Sequence, residues 1–185
     1  MTSNNVSLIV AIDENNGIGK IGAIPWQSKE DMAYFKFLTK HTNSKDRRNV
    51  VIMGKRTWDS IPEGRRPLQG RINIIVTSTS QTRTEDAHFV RGSAECMELL
   101  QRLSPQVEKI FICGGESIYT EFLPQARNIF VTRVTGSYDC DTEFVDGWEA
   151  TFTKVAEMKC PGSIPTIRHE VWERNAATNE NGGYQ

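Results

Sequence analysis

Ile110-Phe111-Ile112-Cys113-Gly114-Gly115-Glu116-Ser117 decides the fold. An apolar run of strand length ends in two glycines, and a helix start follows directly. Val50-Val51-Ile52-Met53 enters Gly54-Lys55-Arg56-Thr57 in the same way. Further apolar runs stand at 6–12, 72–76 and 129–134. They are rich in Ile and Val and barely alternate, as strands buried on both faces of a mainly parallel sheet do. Helical patterns lie between the runs, at 28–40, 93–103 and 116–123. Strands alternating with helices predict an open α/β fold with crossover connections. The last third reads differently. Segments 150–158 and 167–173 are strand-like, and Lys159-Cys160-Pro161-Gly162-Ser163-Ile164-Pro165 separates them. A Pro-Gly loop between two strands predicts a hairpin, hence an antiparallel pair. Residues 175–185 are polar and Gly-rich, and a frayed, disordered tail is expected there.

The 185 residues suit one domain, 1–185, with a core at about 6–174. A domain of this size buries roughly 70% of its unfolded surface and needs no staples. Hydrophobic residues make up 38% and charged residues 24%, an ordinary globular mixture. Net charge is −1. The clusters Asp46-Arg47-Arg48 and Arg65-Arg66 read as solvated loops, not as the basic face that nucleic acid requires. The four cysteines have neither metal-ligand nor redox spacing, and the three histidines lie far apart. No metal site is expected. Cys113, inside an apolar run, reads as a small hydrophobe. Met1-Thr2-Ser3-Asn4-Asn5 lacks the regions of a signal peptide. No apolar run approaches the ~20 residues of a membrane span. A cytoplasmic location is the expectation, with no membrane and no nucleic acid as partner.

Gly17-Ile18-Gly19-Lys20-Ile21-Gly22 matches G-x-G-x-x-G, and Glu30-Asp31 follow it. A Rossmann fingerprint would need a helix to begin inside the glycine run. Here Ala23-Ile24-Pro25-Trp26 comes next, and Pro25 disfavours helix at Ile24. The first helix start is Ser28. Residues 15–24 are therefore a loop, either a flap over a ligand or a plain long turn. The glycines after the strands at 50–53 and 110–113 stand where ligands of open α/β sheets bind. Helix starts there offer unpaired N–H groups to phosphate. Two such sites and a glycine flap predict a dinucleotide cleft. Lys55, Arg56 and Thr77-Ser78-Thr79 could hold an extra phosphate, which favours NADPH over NADH; the alternative is a surface turn with two solvated bases.

Ser28-Lys29-Glu30-Asp31 matches a capping box, which would make Asp31 a helix cap. The helix face points elsewhere. Asp31, Phe35 and Leu38 fall at i, i+4 and i+7, with Met32 adjacent. A carboxylate among large apolar groups is costly without partners. Lining a pocket, it could accept bonds from a cationic or amidine-like ligand group, at ~1.5–3 kcal/mol each. Arg71 opens a strand and is either a surface base or a bidentate clamp for a ligand carboxylate.

With these residues assembled, the chain resembles the dihydrofolate reductases over nearly its whole length, from about Val6 to Glu173. The most specific pieces are Gly17-Ile18-Gly19-Lys20 with Pro25-Trp26, and Asp31 five residues beyond that Trp. Val51-Ile52-Met53-Gly54-Lys55-Arg56-Thr57-Trp58-Asp59-Ser60-Ile61-Pro62 and Arg66-Pro67-Leu68-Gln69-Gly70-Arg71 follow. Gly114-Gly115 with Tyr119, Val131-Thr132-Arg133 and Asp141-Thr142-Glu143-Phe144 complete them.

The resemblance implies an eight-stranded, mostly parallel sheet whose last strand is antiparallel. It implies hydride transfer from C4 of NADPH to C6 of 7,8-dihydrofolate and protonation at N5, giving tetrahydrofolate for one-carbon and thymidylate metabolism. Asp31 takes the acidic position that binds the pterin 2-amino group and N3. Trp26 and Thr132 hold its water-mediated network. Met32, Phe35, Ile61 and Leu68 line the pterin and aminobenzoyl slot, with Ile9 and Val10 at its floor. Arg71 binds the glutamate α-carboxylate. Lys36, Ser60, Arg65, Cys113 and Tyr119 complete the substrate set. Ala11, Gly17, Ile18, Gly19, Lys20, Ile21, Gly22 and Ala23 surround the cofactor. So do Gly54, Lys55, Arg56, Thr57, Thr77, Ser78, Thr79, Arg91, Gly114, Gly115, Glu116, Ser117, Ile118, Tyr119, Thr120 and Glu121. Ile24 lies on the flap that closes over nicotinamide. Methotrexate and similar antifolates are implied inhibitors, and a monomer is implied.

No His, Cys or Lys is expected to protonate N5 directly, so the proton comes through water or by a tautomer that Asp31 favours. The sequence departs from the family at three places. Met32 replaces an aromatic residue of some members, Cys113 replaces a branched aliphatic, and Ser78 stands where some members carry Arg. The 2′-phosphate would then depend on Lys55, Arg56 and Arg91. Two other readings remain: a pyrimidine reductase of riboflavin synthesis on the same fold, and a catalytically silent folate or nucleotide carrier. The set Asp31, Phe35 and Arg71 argues against the first, and the intact flap, acid and glycines argue against the second.

Overall fold

A computed structural model describes residues 6–79 and 86–176. Six strands run parallel: β1 (Val6–Ile12), β3 (Arg48–Gly54), β4 (Arg71–Val76), β5 (Ala87–Val90), β6 (Val107–Ile112) and β7 (Asn128–Val134). β9 (Phe152–Cys160) and β10 (Ile167–Arg174) complete an eight-stranded sheet in the order β5-β4-β3-β6-β1-β7-β10-β9. β10 alone runs opposite to the other seven strands. The expected mostly parallel sheet with an antiparallel last strand is thus present. β2 (Gly17–Gly19) and β8 (Thr142–Glu143) form a separate two-stranded ribbon.

The runs that barely alternate in sequence do alternate in space. Leu8, Val10 and Ile12 enter one core with Val50, Ile52, Ile110 and Ile112. Ile9, Val51, Met53 and Phe111 enter a second core on the other face. Successive strand residues point to opposite faces, so only a strand covered on both sides can be apolar throughout. Helices cover it: α1 (Lys29–Lys40), α2 (Lys55–Ser60), α3 (Ser93–Leu103) and α4 (Glu116–Phe122). The expected helix bounds agree within a residue, and Ser28 is the N-cap of α1.

Four features lay outside the sequence expectation. β5 was not anticipated; at four residues on the sheet edge it carries little pattern. The ribbon β2–β8 joins segments far apart in sequence. The strand expected from 150 begins at Phe152, because Gly147, with φ +67°, starts a 3-10 turn at Trp148–Thr151. Asn175, expected in the tail, is held by its backbone N–H on Thr151 O at 3.0 Å. Residues 177–185 of that tail, and Met1 to Asn5, lie outside the described residues.

Candidate active site

The carboxyl ends of β1, β3, β4 and β6 open onto a cavity of about 1650 Å³. β6 lies between β3 and β1, so the chain changes direction across the sheet here, where ligands of open α/β sheets bind. Gly54 N–H donates to Gly114 O at 2.7 Å, which ties the two glycine exits together. Gly114 must be glycine on two counts. Its φ is +98°, and a Cβ there would lie 2.8 Å from the Tyr119 ring. Tyr119 is buried and its hydroxyl donates to Ile9 O at 2.8 Å, so the ring has no room to move aside.

Of the residues predicted around the cofactor, Ala11, Ile18, Gly19, Gly22 and Ala23 line this cavity. Gly54 to Thr57, Thr77 to Thr79, Arg91 and Gly114 to Tyr119 line it too. Ile24 is half exposed on its rim, and Val10, Ser60 and Cys113 of the substrate set also face it. Val76, Gly92, Asp141 and Thr142 were not anticipated. Lys55 is tied to Asp59 one turn on, with Nζ 2.6 Å from Oδ1. Arg56, exposed, is the freer of the two adjacent bases.

Gly17, Lys20 and Ile21 stand off the cavity. Gly17 is a packing glycine: a Cβ there would lie 2.5 Å from the Cys140 Cβ. The buried Asp13 carboxylate accepts from Asn15 N, Gly17 N and Tyr138 N, which fixes the root of the loop. Beyond it, Lys20 and Ala23 exchange backbone bonds of 2.8 and 3.1 Å across Ile21 and Gly22. Both central residues have positive φ, +51° and +74°, as a type I′ hairpin turn requires. The loop is thus a small hairpin, and 141–143 hold it. Ile21 N–H donates to Asp141 Oδ2 at 2.7 Å, and Asp141 N–H donates to Gly19 O at 3.0 Å. The Ile21 amide holds the Asp141 carboxyl below its usual range.

The residues expected to line an apolar slot for the substrate gather along α1. Ser28 Oγ accepts from Asp31 N–H at 3.2 Å, so Asp31 does take part in the cap, through its backbone. Its carboxyl is left for the slot and lies against Thr132. Burial pushes the carboxyl above its ordinary value, and the Thr132 hydroxyl and the His169 imidazole only partly oppose this. Trp26 packs at this end, buried, with its ring edge against Tyr138. Its Nε1 is the one buried side-chain nitrogen or oxygen without a hydrogen-bond partner among the described residues. Phe35, Ile61, Leu68 and Cys113 pack with Ile9 along the slot. Burial pushes the Cys113 thiol up to about 12, so it stays a thiol and acts as a hydrophobe. Met32 is half exposed, and Lys36, Ser60 and Arg65 are exposed.

Arg71 closes the far end at only 5% exposure, which removes the surface-base reading. Its Nη1 donates to Thr39 Oγ1 at 2.8 Å and its Nε to Gln69 O at 3.3 Å. Thr39 donates to Phe35 O and so presents its oxygen to the guanidinium. Burial lowers the Arg71 pKa, and no carboxylate pairs with it among the described residues. Asp31 and Thr39 are eight residues apart on one helix face, about 12 Å along the axis. Thr39, Tyr34 and His169 were missed by the sequence reading. The spacing i+8 from Asp31 could have found Thr39; no local signal points to His169.

A sequence model of the family described as "Dihydrofolate reductase" matches residues 5–180. The chain is 36% identical over 168 residues to a dihydrofolate reductase of Heliothis virescens, covering 88% of this chain and 90% of that one. It is 37% identical over 171 residues to a dihydrofolate reductase of Mus musculus, covering 89% and 90%. It is 39% identical over 144 residues to one of Schistosoma mansoni, covering 75% and 77%. Kinship of this extent, across both clefts and the sheet that carries them, shows that the chain belongs to the dihydrofolate reductase family of enzymes.

Proposed function

We propose that this protein reduces 7,8-dihydrofolate to 5,6,7,8-tetrahydrofolate with NADPH. One observation carries the reading: the half-buried Asp31, its carboxyl desolvated, and the buried Arg71 guanidinium, held by Thr39 and without a carboxylate partner among the described residues, stand at the two ends of α1, with Phe35 packed on Ile9 between them. That arrangement suits a long ligand with an amidine-like head, a flat apolar middle and an anionic tail. The names of the relatives point to dihydrofolate, which has this layout.

Asp31 binds the 2-amino group and N3 of the pterin. Phe35, Ile61 and Leu68 pack on the rings, and Ile9 supports them from the sheet. Arg71, held by Thr39, takes the glutamate α-carboxylate. The glycine cleft fits a dinucleotide, since the backbone at Gly54 and at Gly114–Gly115 lines it and Arg56 and Arg91 supply positive charge. Ser78 and Thr79 offer hydroxyls on the same wall. NADPH, when bound, supplies hydride to C6 of the substrate. Ile24 and the hairpin behind it exclude water from the nicotinamide end. Trp26 Nε1, a buried donor in need of an acceptor, orders water at the pterin. N5 takes its proton from water, because Asp31 meets the other edge of the ring.

NADPH oxidation measured with dihydrofolate, with and without methotrexate, tests this. Turnover that methotrexate abolishes, and that falls when NADH replaces NADPH, is the expected result. NADPH binding without oxidation would show a silent carrier. Turnover on a ribitylated pyrimidine but not on dihydrofolate would show the other reductase.

A further inference from the structure

His169 lies in β10 at 4% exposure, directly across from Thr132 of β7. Its Nδ1 is 3.0 Å from Thr132 Oγ1. The Thr132 hydroxyl also faces the Asp31 carboxyl and favours its charged form. The Tyr34 ring stacks on the imidazole, with 3.8 Å between centroids and 21° between planes, which fixes the plane of the imidazole. The three side chains therefore form a row, Asp31–Thr132–His169.

A hydroxyl has one proton to give. If Thr132 gives it to His169 Nδ1, Asp31 loses its donor. If Thr132 gives it to Asp31, Nδ1 must carry a proton and donate to the Thr132 oxygen. A bond to an ionised carboxylate is roughly twice as strong as one between neutral groups, so the second arrangement prevails. Burial pushes the His169 pKa below the ordinary imidazole value, against the pull of Asp31, so the ring is neutral near pH 7 and its tautomer decides the row.

We propose that His169 is a positioning residue which, as an Nδ1–H donor, aims the Thr132 hydroxyl at Asp31 and so sets the pH range of dihydrofolate reduction. This rests on the reading of Asp31 as the substrate-binding carboxylate. The titratable groups facing His169 are Asp31 and Tyr34 from α1; on β9 Met158 stands opposite it, and Cys160, opposite Ile167, acts on Tyr34. Thr132 is the polar neighbour from β7. Arg168 and Glu170 point to the other face by strand alternation, where they meet Arg133.

Two measurements test this. In protein with 15N-labelled histidine, the His169 ring shifts, assigned by their loss in His169→Phe, should report the Nδ1–H tautomer at pH 7. In kinetics, the pH midpoint of kcat/KM that belongs to Asp31 is identified by its loss in Asp31→Asn. His169→Phe keeps a ring for Tyr34 to stack on and removes the donor. It should move that midpoint up by about one pH unit, because less hydrogen bonding reaches the charged form. His169→Asn restores an N–H at the Nδ1 position and should recover most of the shift. In a Thr132→Val background, His169→Phe should move the midpoint no further. An Nε2–H tautomer, an unmoved midpoint in His169→Phe, or the same shift in the Thr132→Val background would overturn the inference. A midpoint that survives Asp31→Asn would overturn the reading of Asp31 itself.

Discussion

Asp31 meets two demands with different atoms. Its N–H completes the cap on Ser28, while its carboxyl faces the slot. The sequence presented these as rival readings because a one-letter pattern does not separate backbone from side chain. The carboxyl's position has a stability cost with a definite sign. Its folded pKa is raised above 3.8 by burial, so over the window between 3.8 and the raised value the native protein binds more protons than the unfolded chain. Stability falls as pH rises through that window and stays lower above it. Asp31→Asn should therefore unfold at a higher temperature than the parent at pH 7, and the gain should vanish below a pH of about 3.8, the unfolded value. The same variant should keep NADPH binding and lose most turnover at neutral pH. Near-normal turnover would remove Asp31 from the site. Arg71 shows the complementary limit: its burial against Thr39 depends on a residue 32 positions away, which no local pattern encodes.

At the scale of elements, the loop 15–24 was legible as non-helical, because Pro25 rules out the helix a dinucleotide fingerprint needs. Its hairpin form was not legible. A type I′ turn favours Asn-Gly, and here the first central position is Ile21, β-branched, at φ +51° and 87% exposed. The left-handed region costs such a residue about 1–2 kcal/mol. The turn survives because Asp141 accepts the Ile21 N–H and the ribbon β2–β8 anchors its base. Ile21→Asn should relieve most of that strain and slow amide exchange at Lys20 and Ala23 about fivefold, corresponding to about 1 kcal/mol. Unchanged or faster exchange would show that the turn carries no strain. A steadier flap should also lower turnover if its opening limits product release.

For the whole molecule, one buried carboxylate locks the appended strands to the parallel sheet. Glu170 on β10 accepts from Trp172, Arg168 and Arg133, and Lys154 of β9 stands 3.6 Å away. Burial pushes its carboxyl up, but those hydrogen bonds outweigh it and hold the pKa below 4.5. The sign is opposite to that of Asp31: this stability is present above 4.5 and lost as pH falls through the depressed value. Glu170→Ala should lower unfolding stability in urea at pH 7 by about 2–3 kcal/mol, since two arginines lose a buried partner but keep some access to water. The deficit should shrink in acid, where the parent carboxylate is itself protonated; a deficit independent of pH would assign it to packing alone. By itself the sequence determined five of the six parallel strands, the glycine exits, the capped helix with Asp31 and the family, because strand periodicity, turn chemistry and capping act over a few residues. Only the tertiary structure decided the strand order, the ribbon that holds the hairpin at 20–23, the burial of Arg71 and the place of His169 beside Thr132. Those depend on register between strands, and Thr132 and His169 meet across 37 residues only because β10 pairs with β7 in one alignment of many.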